Sequence, residues 1–213
     1  MARPSQNIDQ RLLDAGMELL PQTGCRGLSA RRLAEHAGVN LGMFHYHFKT
    51  RDNFIRTLLG QVYERMFSML VLRAQEGATP VQKLRDALLV LAQFGRKHRL
   101  LLQRIFGDAL GGETVAVEFL QTNVPRHLAV LAGLIGEAQR AGEIVAVPLP
   151  QAVAFLAGSV MAPVLLGAAA IESGMLPATA GAMVERDVLS KKAIEQRIEF
   201  ALRGLAVDTR RTS

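Results

Sequence analysis

Between Ser29 and Lys49 the chain reads "SARRLAEHAGVNLGMFHYHFK", and this stretch limits the fold more than any other. Ser29 and Asn40 are both side chains that cap helix N-termini, and Gly38 between them supplies a left-handed stop. Two short helices therefore follow one another across the tight turn "GVN". Upstream, Ile8, Leu12, Ala15 and Leu19 fall on one stripe at helical period, and Pro21 and Gly24 are read as ending that first helix. Downstream, a fourth helix is expected to begin near Thr50 and to run through "NFIRTLLGQVYERMFSMLVLRAQ" as far as Gly77. A short helix, a glycine turn and a second short helix, with a helix on either side, make a helix-turn-helix headpiece.

The second short helix carries an unusual face. With Phe44 at zero on a helical wheel, Phe48 lies at about 40° and Leu41 at about 60°, the side turned to the core. Gly42, Tyr46 and Met43 lie opposite, with His45 and His47 on the flanks. The two histidines are about 200° apart at roughly 100° per residue, so one helix cannot bring both to one metal ion. An exposed Met and Tyr on a short helix suit a surface that enters a DNA groove. The charge agrees. The formal net charge of the chain is +6, and residues 21–56 hold Arg26, Arg31, Arg32, Lys49, Arg51 and Arg56 against Glu35 and Asp52 alone. That excess favours a polyanionic partner such as double-stranded DNA.

The segment "GLSARRLAEHAGVNLGMFHYHFKTRDNFIRTLL" resembles the DNA-binding headpiece of the TetR family of bacterial transcriptional regulators. The features that carry the resemblance are the capped second helix, the A-G-V turn, a glycine two residues after the Asn40 cap, and aromatic–x–His–Phe–Lys. The resemblance implies an all-α homodimer in the cytoplasm whose C-terminal domain binds a small-molecule effector and thereby releases an operator. It implies that Ser29 caps its helix or bonds a phosphate and that Arg31 reaches a base edge. Leu41, Gly42 and Met43 stand where bases are approached, and Tyr46, Lys49 and Arg51 where phosphates are gripped. His45 departs from the pattern, which has tyrosine there, so protonation enters that contact. Leu41 stands where a polar residue is common and is a candidate for thymine-methyl contact.

The remainder also reads as helices: Thr79–Lys97, His98–Phe106 ending at Gly107, Glu113–Gln121, Val124–Ala141, Gln151–Ser173, and Ser190 to about Leu205. "GDALGG" and "GMLPATAGAMVERDV" read as links. The headpiece is assigned to residues 1–50 and a ligand-binding and dimerisation domain to 51–213. Met66, Met69, Phe94, His98, Arg104, Phe106, Phe119, His127, Phe155 and Met161 are candidates to line a mostly apolar ligand site, since methionine and phenylalanine make adaptable pockets. Ala157, Gly158, Ala162, Ile194, Ile198 and Leu202 are candidates for the subunit interface. Ile144–Ile171 carries no charge and is long enough to span a bilayer, but it holds three prolines and lacks flanking lysines, arginines and interfacial aromatics. A membrane-associated helical protein and a helical enzyme or metal protein stand as the alternatives. No clustered carboxylates or histidines favour catalysis, and no cofactor is expected. Cys25, the only cysteine, excludes an intrachain disulfide; beside Arg26 its thiolate would be favoured, although a lone loop cysteine is usually incidental.

Overall fold

The computed structural model describes residues 7–207. Its helices are α1 (Ile8–Gly27), α2 (Ala30–His36), α3 (Leu41–Phe48), α4 (Arg51–Gln75), α5 (Pro80–Lys97), α6 (Arg99–Leu110), α7 (Thr114–Arg140), α8 (Leu149–Leu156), α9 (Ala162–Glu172), α10 (Ala178–Asp187) and α11 (Lys191–Leu205). The fold is all-α; among the described residues the only extended pairing is one isolated antiparallel bridge, Ile144 with Ala206. The chain forms two compact units. Among the described residues, one holds 7–65 with 100–123 and the other 66–99 with 124–207.

In the first unit, Phe44, Phe48 and Phe54 form a ring cluster with centroids 4.9–5.8 Å apart. Around them pack Leu12, Leu20, Leu33, Ile55 and Leu58, together with Leu101 and Ile105 from α6 and Val115 from α7. Gly16 admits this packing. A Cβ there would lie 2.6 Å from the Phe54 ring, so α1 and α4 approach at that point only without a side chain. Leu41 is the exception to the wheel. It is exposed, because the first residue of a short helix projects beyond the core that Phe44 and Phe48 enter.

Several boundaries differ from the sequence reading. Pro21 sits inside α1, and it is Gly24, at φ +66°, that breaks the helix. The helix read as ending at Gly107 continues to Leu110. The two helices expected over Glu113–Gln121 and Val124–Ala141 are one, α7, with Pro125 inside it. There the Tyr63 hydroxyl donates to the Asn123 carbonyl at 2.7 Å, and Asn123 Nδ2 donates to the Phe119 carbonyl at 2.8 Å, fixing the turn before the proline. The link "GMLPATAGAMVERDV" contains α10.

The second unit packs α11 against α5 and against the turn that joins α8 to α9. That turn, Ala157–Met161, is a π-helical step, with the Ala162 N–H donating to the Ala157 carbonyl. Pro163 explains it: proline cannot donate to the carbonyl four residues back, and a widened turn re-routes the ladder.

Candidate nucleic-acid interface

The helix-turn-helix is built locally. Ser29 Oγ accepts from the Arg32 N–H at 3.2 Å, and Asn40 Oδ1 accepts from the Gly42 N–H at 2.7 Å. At the turn, the Val39 N–H donates to the Ala34 carbonyl and the Gly38 N–H to Glu35, with Gly38 at φ +62°. This is a Schellman stop, which the left-handed glycine makes possible. Arg11 locks it from α1, its Nη2 donating to the carbonyls of Ala37 at 2.6 Å and Gly38 at 3.0 Å.

On α3 the side opposite the phenylalanines is open. Leu41, Gly42, His45 and Tyr46 are exposed, Tyr46 at 68 %, while Met43 and His47 are half-buried. Lys49 closes the helix at φ +64° and ψ −58°, the centre of a γ-turn in which the Thr50 N–H donates to the Phe48 carbonyl at 2.7 Å, a rare and strained conformation for a residue with a side chain. Its Nζ lies 5.7 Å from the centre of the Tyr46 ring, so the two stand side by side. His45 Nδ1 lies 3.1 Å from the Lys49 carbonyl. A carbonyl only accepts, so Nδ1 carries the proton, and Nε2 gains a donor N–H only when the ring is protonated.

Arg31 is exposed and pairs with Glu35 at 2.9 Å across one helical turn, a surface pair of the kind that yields readily to a stronger anion. Arg51 is differently placed. Its Nε donates to Asp52 at 2.8 Å and its Nη2 to Glu113 at 3.0 Å. Burial pulls its pKa down, but the Asp52 hydrogen bond and the two carboxylate charges outweigh burial and hold it above the ordinary value. Ser29, Arg31, Leu41, Gly42, Met43, His45, Tyr46 and Lys49 all belong to α2, α3 or their caps, whereas Arg51 is tied to the start of α7.

An open groove of about 360 Å³ adjoins this face, lined by His47, Phe48, Lys49, Asn53, Arg56 and Thr57. His47 Nε2 is buried there without a hydrogen-bond partner. Asn53 and Thr57 were not singled out from the sequence, and Arg56 entered only as part of the basic excess over residues 21–56. Their spacing of three and four residues on one side of α4 was the available signal.

The loop of the helix-turn-helix unit meets the α6–α7 turn. The Cys25 N–H donates to Asp108 Oδ2 at 2.6 Å, Arg26 Nε lies 3.6 Å from Glu113, and Arg26 Nη2 donates to the Gly111 carbonyl. Cys25 is fully buried. Its thiol pKa is raised to about 12, by burial first and then by Asp108 and Glu113. The thiolate favoured by a neighbouring arginine is thus overturned: carboxylates and burial prevail.

The candidate ligand residues have varied surroundings. In the first unit, Arg104 donates to the Pro21 carbonyl, Phe106 is exposed, and Phe119 stacks edge-on with Tyr63 in the core. In the second, Met66 is buried and Met69 exposed, while the Phe94 and His98 rings lie 4.8 Å apart. The pKa of His98 is lowered by burial and then by Lys97. Met161 lays its methyl group in the space Gly95 leaves open, His127 is half-buried on α7, and Phe155 is exposed. Of the interface candidates, Ala157 and Ala162 are half-buried and Gly158 is exposed. Ile194, Ile198 and Leu202, however, are buried inside the chain's own core at 0, 1 and 6 % exposure. They cannot face a second subunit. The open apolar residue of α11 is Phe200, at 66 %. Among the described residues, no three of His, Cys, Asp and Glu gather as metal ligands.

A capped helix-turn-helix with an open aromatic–basic second helix defines a DNA-binding regulator. Residues 12–58 match the family model described as bacterial regulatory proteins, tetR family. The chain is 24% identical over 159 residues to YttP of Bacillus subtilis, described as an HTH-type transcriptional regulator, covering 73% of this chain and 76% of that one. It is 27% identical over 105 residues to the HTH-type transcriptional repressor KstR of Mycolicibacterium smegmatis, and so spans about half of that relative, 52%. The fold is that of FadR from Bacillus subtilis, solved in complex with stearoyl-CoA, at a TM-score of 0.71 and 15% identity, covering 92% of this chain and 98% of that one. KstR2 of Mycobacterium tuberculosis, a ketosteroid transcriptional regulator, shares the fold at a TM-score of 0.67 and 13% identity, covering 94% and 95%. Residues 12–58 thus carry a DNA-binding headpiece of the kind that the tetR-family model describes, and the chain as a whole shares the fold of the solved regulators.

Proposed function

We propose that the protein is a cytoplasmic, non-catalytic repressor that binds a pseudo-palindromic operator as a homodimer and leaves it when a small, mostly apolar effector binds. The observation that carries this reading is the open face of α3, fixed at its ends by the Asn40 cap and the γ-turn at Lys49, with basic residues around it and no carboxylate on the helix. In this reading residues 1–50 bind DNA and 51–213 bind the effector and the second subunit. Ser29, Arg31, Leu41, Gly42, Met43, His45, Tyr46 and Lys49 contact the duplex, and Arg51 orders the start of α4 as well as offering charge. The repressor role is supported by KstR, and the effector class by FadR with its acyl-CoA.

Exposure supports a surface for the second copy. Leu149–Glu172 has a mean hydropathy of 2.0, yet only 22% of its apolar window is buried within the chain. Phe155, Gly158 and Leu166 on that segment, and Phe200 and Gly204 on α11, form its open side, with the Phe155 ring close to Gly204. A partner subunit covering this side accounts for an apolar helix without a membrane.

The test begins with selection of bound fragments from genomic DNA, followed by titration of the selected duplex at several salt concentrations. Affinity should fall steeply with salt, and Lys49→Ala should weaken all sequences alike and reduce the salt slope by about one. Arg31→Ala should instead relax specificity at one base pair per half-site. Binding that selects no sequence and ignores salt would remove the reading.

A further inference from the structure

Arg197 on α11 is half-buried, and among the described residues no carboxylate pairs with it. Its Nη1 donates to the Val188 carbonyl at 3.1 Å. Its Nε and Nη2 are buried and have no hydrogen-bond partner. Those two nitrogens form one edge of the guanidinium plane, with parallel N–H bonds spaced to meet two oxygens of one carboxylate or phosphate. Every carboxylate on α10 and α11 is engaged elsewhere: Glu185 with Arg99, Asp187 with Arg186, Glu195 with Lys191 and Glu199 with Arg85. Burial accordingly pulls the Arg197 pKa down with no compensating charge. A guanidinium edge taken out of water and left unpaired is a costly arrangement unless an anion completes it.

We propose that the Nε–Nη2 edge of Arg197 is an oxyanion site of the C-terminal unit, which takes the carboxylate or phosphate group of the effector. The proposal rests on the reading of that unit as the effector domain, and it specifies the ligand further: an apolar body ending in an acid. Val188 holds the fork through Nη1, so the unpaired edge is oriented before any ligand arrives and a ligand must open a way to it. Lysine would not replace arginine here, because an ammonium offers no planar pair of donors.

The test uses full-length protein, its Arg197→Met and Arg197→Lys variants, and four probes: decanoate, decanol, acetate and inorganic phosphate. Affinity is read by calorimetry, and the oligomeric state of each variant by sedimentation. Decanoate should bind the wild type at least about tenfold more tightly than decanol, and both variants should lose that preference while still binding decanol. If acetate or phosphate binds the wild type but not the variants, while neither decyl compound binds, the anion site stands and the apolar-effector reading falls. If decanoate and decanol bind equally to wild type and variants, the effector domain stands and Arg197 has no part in it. Should the variants become monomeric with unchanged decanoate affinity, the open edge is completed by a second copy and the proposal is overturned.

Discussion

At the scale of single residues, Cys25 shows how burial decides chemistry. The thiol is enclosed, its own backbone N–H is bound by Asp108, and its pKa of about 12 lies far above any physiological pH. Only the thiolate reacts with alkylating agents, so the native protein should resist iodoacetamide at about pH 8 and react fully in denaturant. Mass spectrometry of tryptic peptides checks this; rapid native alkylation would mean the end of α1 beyond Gly24 opens readily. The caps Ser29 and Asn40 and the stop at Gly38 were legible in the sequence because each acts on backbone within a few residues. The environment of Cys25 was not, since Asp108 and Glu113 lie 83 and 88 positions along the chain. Arg51, assigned to phosphate by position, holds Glu113 at a sequence distance of 62 for the same reason.

At the scale of elements, the α6–α7 turn braces the helix-turn-helix unit. Asp108 binds the backbone just after Gly24, and its carboxylate stands where a Cβ on Gly24 would lie, 2.7 Å from Oδ2. Replacing Asp108 with Ala leaves the partly buried Cys25 N–H without a partner, a loss of about 1–3 kcal/mol. Urea unfolding followed by circular dichroism should show it; a change below about 0.5 kcal/mol would mean water replaces the carboxylate at no cost. The sequence misplaced this element for a physical reason: glycines at 107, 111 and 112 suggested a loop, but α6 keeps its hydrogen bonds through Gly107 and turns only at Gly112, φ +80°. Pro125 and Pro163 misled in the opposite sense. One helix continued with its preceding turn pinned by Tyr63 and Asn123, the other widened into a π turn.

At the scale of the whole molecule, the apolar stripes of the last helices were legible, but which stripe meets a partner was not. Periodicity marks Ile194, Ile198 and Leu202 as one buried face, and burial inside the chain and burial against a second chain leave the same pattern. Exposure separates them, leaving Leu166 at 68 % open on α9 and Phe200 at 66 % open on α11. If, as proposed, the subunits meet there, both half-sites of an operator are read only where the spacing of the two α3 helices matches about 34 Å, one DNA turn. Leu166→Glu puts a charge on that open surface, where it costs the isolated chain little and a packed interface several kcal/mol, about 3–5 if the charge is buried without a partner. The variant should keep its helical circular dichroism, sediment as a monomer at micromolar concentration, and bind a single half-site as weakly as the wild type does. On the full operator it should lose the gain from engaging both half-sites, which linkage of two sites makes about a hundredfold or more. A Leu166→Glu protein that remains dimeric and binds the full operator normally would show that the subunits meet elsewhere.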